Sequence, residues 1–158
     1  MKHSIDSIFP ITLFFIFSAT ALILLLFSAN IYENVIDTSA STFEKTTTLS
    51  YIAEKIRHND EHGSQNIQIE TFDGHEALAI SNIYNQTIYK TYIYELNGEL
   101  KELFVRDGIH TSAEFGTTIL EINHLDMESI ADNLFRFTCT ASDGTTDSLI
   151  IATHSQTP

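Results

Sequence analysis

The chain has 158 residues, with 21 acidic side chains against eight Lys and Arg, for a formal net charge of −13 with histidine neutral. So acidic a chain repels phosphate backbones and anionic headgroups, which argues against nucleic acid as a partner and against docking on lipid headgroups. The single cysteine, Cys139, excludes an internal disulfide, so the fold must rest on its core.

No charged residue occurs between positions 7 and 32, and 14 of the 22 residues from Ile8 to Ala29 are Leu, Ile or Phe. As a helix that run spans about 33 Å, against about 30 Å of bilayer hydrocarbon. A membrane anchor over residues 1–30 is expected. The one small-x-small match, Ala19-Thr20-Ala21, lies inside the apolar run, so a retained anchor is expected rather than a cleaved signal. Lys2 precedes the run, and Glu33 and Asp37 follow it. The basic flank stays cytoplasmic, which makes this a single-pass protein of the cell membrane with its C-terminal domain outside.

Residues 31–62 read as a helical stalk. No Gly or Pro interrupts residues 30–57, and Ile31, Val35, Phe43, Leu49, Ile52, Ala53 and Ile56 recur at loosely helical spacing. The Thr/Ser-rich stretch at 38–50 weakens helix propensity there. HNDEHG at 58–63 is a polar stop with a Gly C-cap candidate. The later turns of the helix are expected to pack on the domain that follows.

From Gln65 the apolar period changes to two, and residues 63–158 read as an antiparallel sheet domain. Asp73-Gly74, Asn97-Gly98 and Asp143-Gly144 are tight-turn dipeptides that tolerate positive φ. A two-residue loop at Asp73-Gly74 pairs Ile69 with Leu78 and Ile67 with Ile80. The same loop at Asp143-Gly144 pairs Phe137 with Ile150 and Phe135 with Ala152. At Asn97-Gly98 a two-residue loop mixes the faces, so a three-residue loop pairing Leu96 with Leu100 and Tyr92 with Phe104 is expected. Residues 117–123 give another strand. Residues 125–132 are either a helical turn or an irregular edge. The fold class is α+β: one long N-terminal helix and an antiparallel β-sheet.

Chemistry-bearing residues are scattered. His58 and His62 are four apart but lack the order of a zinc-protease helix. Asp143 and Asp147 flank a turn without the alternating ligands of a calcium loop. Cys139 sits among apolar neighbours, unlike an activated thiolate. Tyr84, Tyr89, Tyr92 and Tyr94 suit sheet packing or a contact surface. No nucleophile–base pair, phosphate loop or dinucleotide fingerprint is present, so no enzyme activity, cofactor, metal or small-molecule substrate is expected.

The Tyr-rich strand and return TYIYELNGELKELFVRDG and the closing run NLFRFTCTASDGTTDSLIIA resemble those of minor pseudopilins. A single N-terminal spanning helix ahead of an antiparallel sheet resembles the type IV pilin architecture. SANIYENV, YIAEKIRHND, FDGHEALAI and FRFTCTASDG extend a likeness over nearly the whole chain to an uncharacterised family of small membrane-anchored proteins. Those proteins come from Gram-positive anaerobes and occur in clusters with pilus-like secretion genes. The resemblance implies a non-catalytic subunit of a membrane-anchored filament or secretion apparatus, with other pilin-like subunits as partners.

It also singles out Asp6, whose carboxylate would neutralise a neighbouring subunit's terminal amine, the role of the pilin Glu. The bland alternative is a solvated carboxylate at the interface, near the positive end of a helix dipole. The chain departs from the pilin pattern in having no Gly before Gly63 to serve as a cleavage site. A second functional reading is a solitary membrane-tethered extracellular binding module.

Overall fold

The computed structural model describes residues 2–61 and 66–153. One α-helix, α1, runs Lys2–Glu61. Eight strands follow: β1 (Asn66–Phe72), β2 (His75–Tyr84), β3 (Thr87–Leu96), β4 (Glu99–Arg106), β5 (Thr117–Glu121), β6 (His124–Ala131), β7 (Leu134–Thr140) and β8 (Thr146–Ala152). The class is α+β, with two antiparallel sheets where one was expected: β1-β2-β3-β4-β5 and β6-β7-β8. Of residues 125–132, undecided from the sequence, all but Asp132 belong to edge strand β6, because Leu125 and Met127 alternate inward at 4% and 5% exposure. The chain divides into two compact units, Met1–Ala40 and Ser41–Pro158.

The first unit is helix alone. Within it Ile8–Ser28 is long and apolar enough to cross a membrane, and none of it is buried by protein. Both of its threonine hydroxyls bond to carbonyls of the helix itself. The Thr12 hydroxyl donates to the Ile8 carbonyl at 3.0 Å, and that of Thr20 to the Phe17 and Ile16 carbonyls at 2.9 and 3.1 Å. Hydrocarbon demands such internal pairing.

In the second unit the last turns of α1 pack on both sheets. Leu49, Ile52, Ala53 and Ile56 fall at helical spacing on one buried face. They meet Leu78, Ile80, Ile93 and Leu100 of the larger sheet and Phe135, Phe137, Cys139 and Ile151 of the smaller. The earlier apolar residues of the helical pattern, Ile31, Val35 and Phe43, are exposed instead, at 61%, 55% and 63%.

The first hairpin has the expected register, Ile69 opposite Leu78 and Ile67 opposite Ile80. Asp73 and Gly74 both take positive φ, 48° and 85°, as a type I′ loop requires. The second hairpin was not expected. It turns at Asn85-Gln86, both at positive φ, with Tyr84 opposite Thr87.

The other two loops differ from expectation by one residue each. At Asn97-Gly98 the loop has two residues, at φ 54° and 78°, and Leu96 faces Glu99. The mixed faces are real, because this sheet buries side chains on both sides. Ile93 and Leu100 face α1, while Tyr94 and Ala77 form a second cluster with Ala113 on the opposite face. At Asp143-Gly144 the loop has three residues. Gly144 alone has positive φ, 80°, and its N–H donates to the Ala141 carbonyl at 2.9 Å. That geometry is a type I turn followed by a left-handed glycine. Phe137 therefore faces Leu149, and Phe135 faces Ile151. Ile150, expected in the core, points outward at 53% exposure.

Candidate functional sites

Asp6 lies in the first turns of α1, two residues ahead of the apolar span, but its side chain falls outside the described residues. His62 and Gly63 of the polar stop also lie outside them. His58 stands in the last turn of α1. Among the described residues no three His, Cys, Asp or Glu side chains gather as metal ligands would.

The acidic residues of the second unit act as struts. Glu102, inward on β4, receives Lys55 Nζ at 2.8 Å and the Tyr51 hydroxyl, tying α1 to the larger sheet. Burial first, then the Glu102 carboxylate, push the Tyr51 hydroxyl far above its ordinary range. Glu44 on α1 accepts the N–H of Asn123 at 2.9 Å and the N–H of Ser142 at 3.2 Å, so one carboxylate holds two loops. Asp73 does the same for the short 3-10 turn Ala113–Phe115, taking the Ala113 N–H at 2.8 Å.

His124 lies between two carboxylates, Glu95 at 2.7 Å and Asp126 at 3.2 Å. The hydrogen bond to Glu95 is the main cause of its raised pKa, opposed by some burial. Asp143 accepts the hydroxyl and the N–H of Thr145 at 2.6 and 2.8 Å. Those two bonds, the hydroxyl first, pull its carboxyl down to about 2. It is a turn residue, bonded to the loop it shapes. Asp147 accepts the N–H of its own neighbour Ser148 at 2.8 Å.

Cys139 is fully buried, and burial pushes its thiol up, with the Thr48 hydroxyl beside it pulling weakly the other way. A thiol in that state is a poor nucleophile. The tyrosines divide. Tyr94 is buried, its hydroxyl donating to the Ala113 carbonyl at 2.5 Å, and Tyr92 stacks on Phe72 with centroids 4.3 Å apart. Tyr84 and Tyr89 instead join Phe104 in an outward cluster, with Tyr89 and Phe104 nearly parallel at 5.2 Å. That cluster borders a cleft of about 450 Å³ that also touches Tyr51 and Asn82. Sequence reading missed the struts. A Glu at an inward strand position, such as Glu102, was the available signal.

No curated protein and no solved structure matches the chain. A family model described as a domain of unknown function, DUF4860, matches residues 43–142, which covers the last turns of α1 and all of β1 to β7 and ends at the start of the loop before β8. The match spans more than half of the chain, and on that ground the protein belongs to the DUF4860 family.

Proposed function

We propose that this protein is a non-catalytic, pilin-like subunit of a membrane-anchored filament or secretion apparatus, held by a single uncleaved N-terminal span with the sheet domain outside the cell. The observation that supports the reading is the surface of α1 past the bilayer-length segment. A tether needs only length and solubility there. Instead Ile31, Tyr32, Val35 and Ile36 are large, apolar and exposed at 61%, 69%, 55% and 48%. Ile31 with Val35, and Tyr32 with Ile36, are i, i+4 neighbours, so the apolar stripe of the span continues beyond it. Lateral packing against sister helices would cover that stripe.

The test is in-cell photocrosslinking from position 35, with the captured protein identified by mass spectrometry. The reading expects other pilin-like helices. Asp6→Asn should leave abundance and orientation intact while weakening those crosslinks, because a carboxylate against a desolvated amine is worth about 1–3 kcal/mol. Equal crosslinking in the variant would reduce Asp6 to an interfacial charge. A wild-type protein that captures no helical partner would make the tethered binding module the better reading.

A further inference from the structure

The two edges of the smaller sheet are treated differently. On the β6 edge two outward amides are closed by carboxylates from elsewhere in the unit: Leu125 N–H donates to Glu95 at 3.2 Å and Met127 N–H to Glu76 at 3.2 Å. Asn123, just before the strand, donates to Glu44. Such plugs prevent another strand from pairing there.

Among the described residues the β8 edge has no equivalent set. Ala141 N–H bonds the Thr145 carbonyl and Thr153 N–H bonds the Asn133 carbonyl, each at 2.9 Å. Odd-numbered positions of β8 therefore pair with β7, and the backbone groups of Thr146, Ser148, Ile150 and Ala152 turn the other way. Among the described residues only the Ser148 amide is taken, by the adjacent Asp147. Beside this edge runs a groove of about 690 Å³ between the flank of α1 and β8, with Leu49, Ala53 and Leu149 along it. Glu54, Asp147 and Arg57 line it as well. Among the described residues Arg57 makes no ion pair.

We propose that this groove binds a single extended peptide segment of another protein, added to the smaller sheet alongside β8. Backbone donors and acceptors on an open edge are matched by another peptide backbone. The added strand directs alternate side chains into the groove, where small apolar groups fit over Leu49, Ala53 and Leu149. An acidic side chain near one end of the segment pairs with Arg57. The inference does not depend on the filament reading.

The experiment uses the full chain in lipid nanodiscs and one probe, the blocked peptide acetyl-ETVTVTVE-amide. Its alternating valines favour an extended strand, and an acid at each end serves either strand direction. Binding by calorimetry is expected, together with slowed amide exchange at Ile150 and Ala152. Methylating alternate backbone nitrogens on the pairing edge should weaken binding about tenfold or more through lost hydrogen bonds. Ile150→Pro should do the same with little change in melting temperature, because an outward edge amide is dispensable to the fold. Arg57→Gln should weaken the acidic probe several-fold and leave a Gln-ended probe unaffected. Absence of binding, or binding indifferent to both N-methylation and Ile150→Pro, would overturn the proposal. Indifference to Arg57→Gln would overturn its acidic requirement.

Discussion

Replacing Gly116 by Ala tests the packing on the outer face of the larger sheet. Gly116 has ordinary backbone angles, φ −63° and ψ 143°, so conformational strain plays no part. The constraint is space. A Cβ there would run into the Tyr94 hydroxyl and stand 3.1 Å from Lys101 Cβ. Tyr94 has no room to retreat: its side chain is fully buried, and its hydroxyl holds the Ala113 carbonyl. Overpacking of this kind costs about 1–3 kcal/mol. For a unit of this size, 1 kcal/mol lowers the melting temperature by about 4 °C, so Gly116→Ala should melt about 4–12 °C below wild type.

Tyr94→Phe removes the colliding oxygen. Alone it loses a net hydrogen bond, about 1 kcal/mol, and leaves the Ala113 carbonyl with the Gly116 N–H at 3.3 Å. Combined with Gly116→Ala it makes room for the new methyl, so the double variant should be more stable than the two separate costs predict. Thermal unfolding by circular dichroism of the full chain in detergent reads all three variants. An unchanged melting temperature for Gly116→Ala, or two costs that simply add, would refute the argument.

Gly144→Val should cost about 1 kcal/mol or more and Gly144→Asn much less, since the left-handed φ of 80° is the obstacle and nothing stands within 4 Å of a new Cβ; equal costs in thermal unfolding would point elsewhere. The protonated His124–Glu95 pair has a folded pKa above the ordinary 6.5, so its stabilisation is complete below that value and is lost as pH rises through the folded pKa. Melting temperatures of wild type and His124→Gln should therefore converge as pH increases, and a constant gap would exclude the linkage. Glu44→Ala should lose about 1–2 kcal/mol and speed amide exchange at Asn123 and Ser142 together, because one carboxylate serves both. Exchange that rises at only one of them would break that assignment.

How much was legible depended on whether the pattern carried its own check. The span announces itself as 21 apolar-rich residues, Ile8–Ser28, without a charge among them. The Asp73-Gly74 hairpin was readable because only one register puts Ile67, Ile69, Leu78 and Ile80 on one face. The Asn97-Gly98 hairpin misled because burial on both faces removes that check. Tyr94 is as buried as Ile93. At Asp143 the dipeptide suits two loop lengths, and the choice lies in whether Asp143 itself takes positive φ, which composition does not encode. Asn85-Gln86 lacks the glycine that marks a tight turn. As for sites, the burial of Cys139 was visible from its apolar neighbours, although Ile150 is not among them. An inward Glu such as Glu102 was visible, but the partners of the strut carboxylates were not, because they lie up to 98 residues away in sequence.

The core joins Leu49, on the chain's first element, to Ile151, on its last strand. Hairpins β1–β2, β2–β3 and β3–β4 are local and can form as the chain lengthens, but the cover over their apolar face cannot close until β8 exists. A ribosome delivering this chain from its N-terminus holds an unfinished domain until β8 emerges. During that interval the last turns of α1 present Leu49, Ile52 and Ile56 with half their packing partners missing. Loss of even the final strand should therefore yield a quality-control substrate instead of a smaller stable domain, and truncations from the C-terminus should disappear from cells faster than point variants of equal thermodynamic cost.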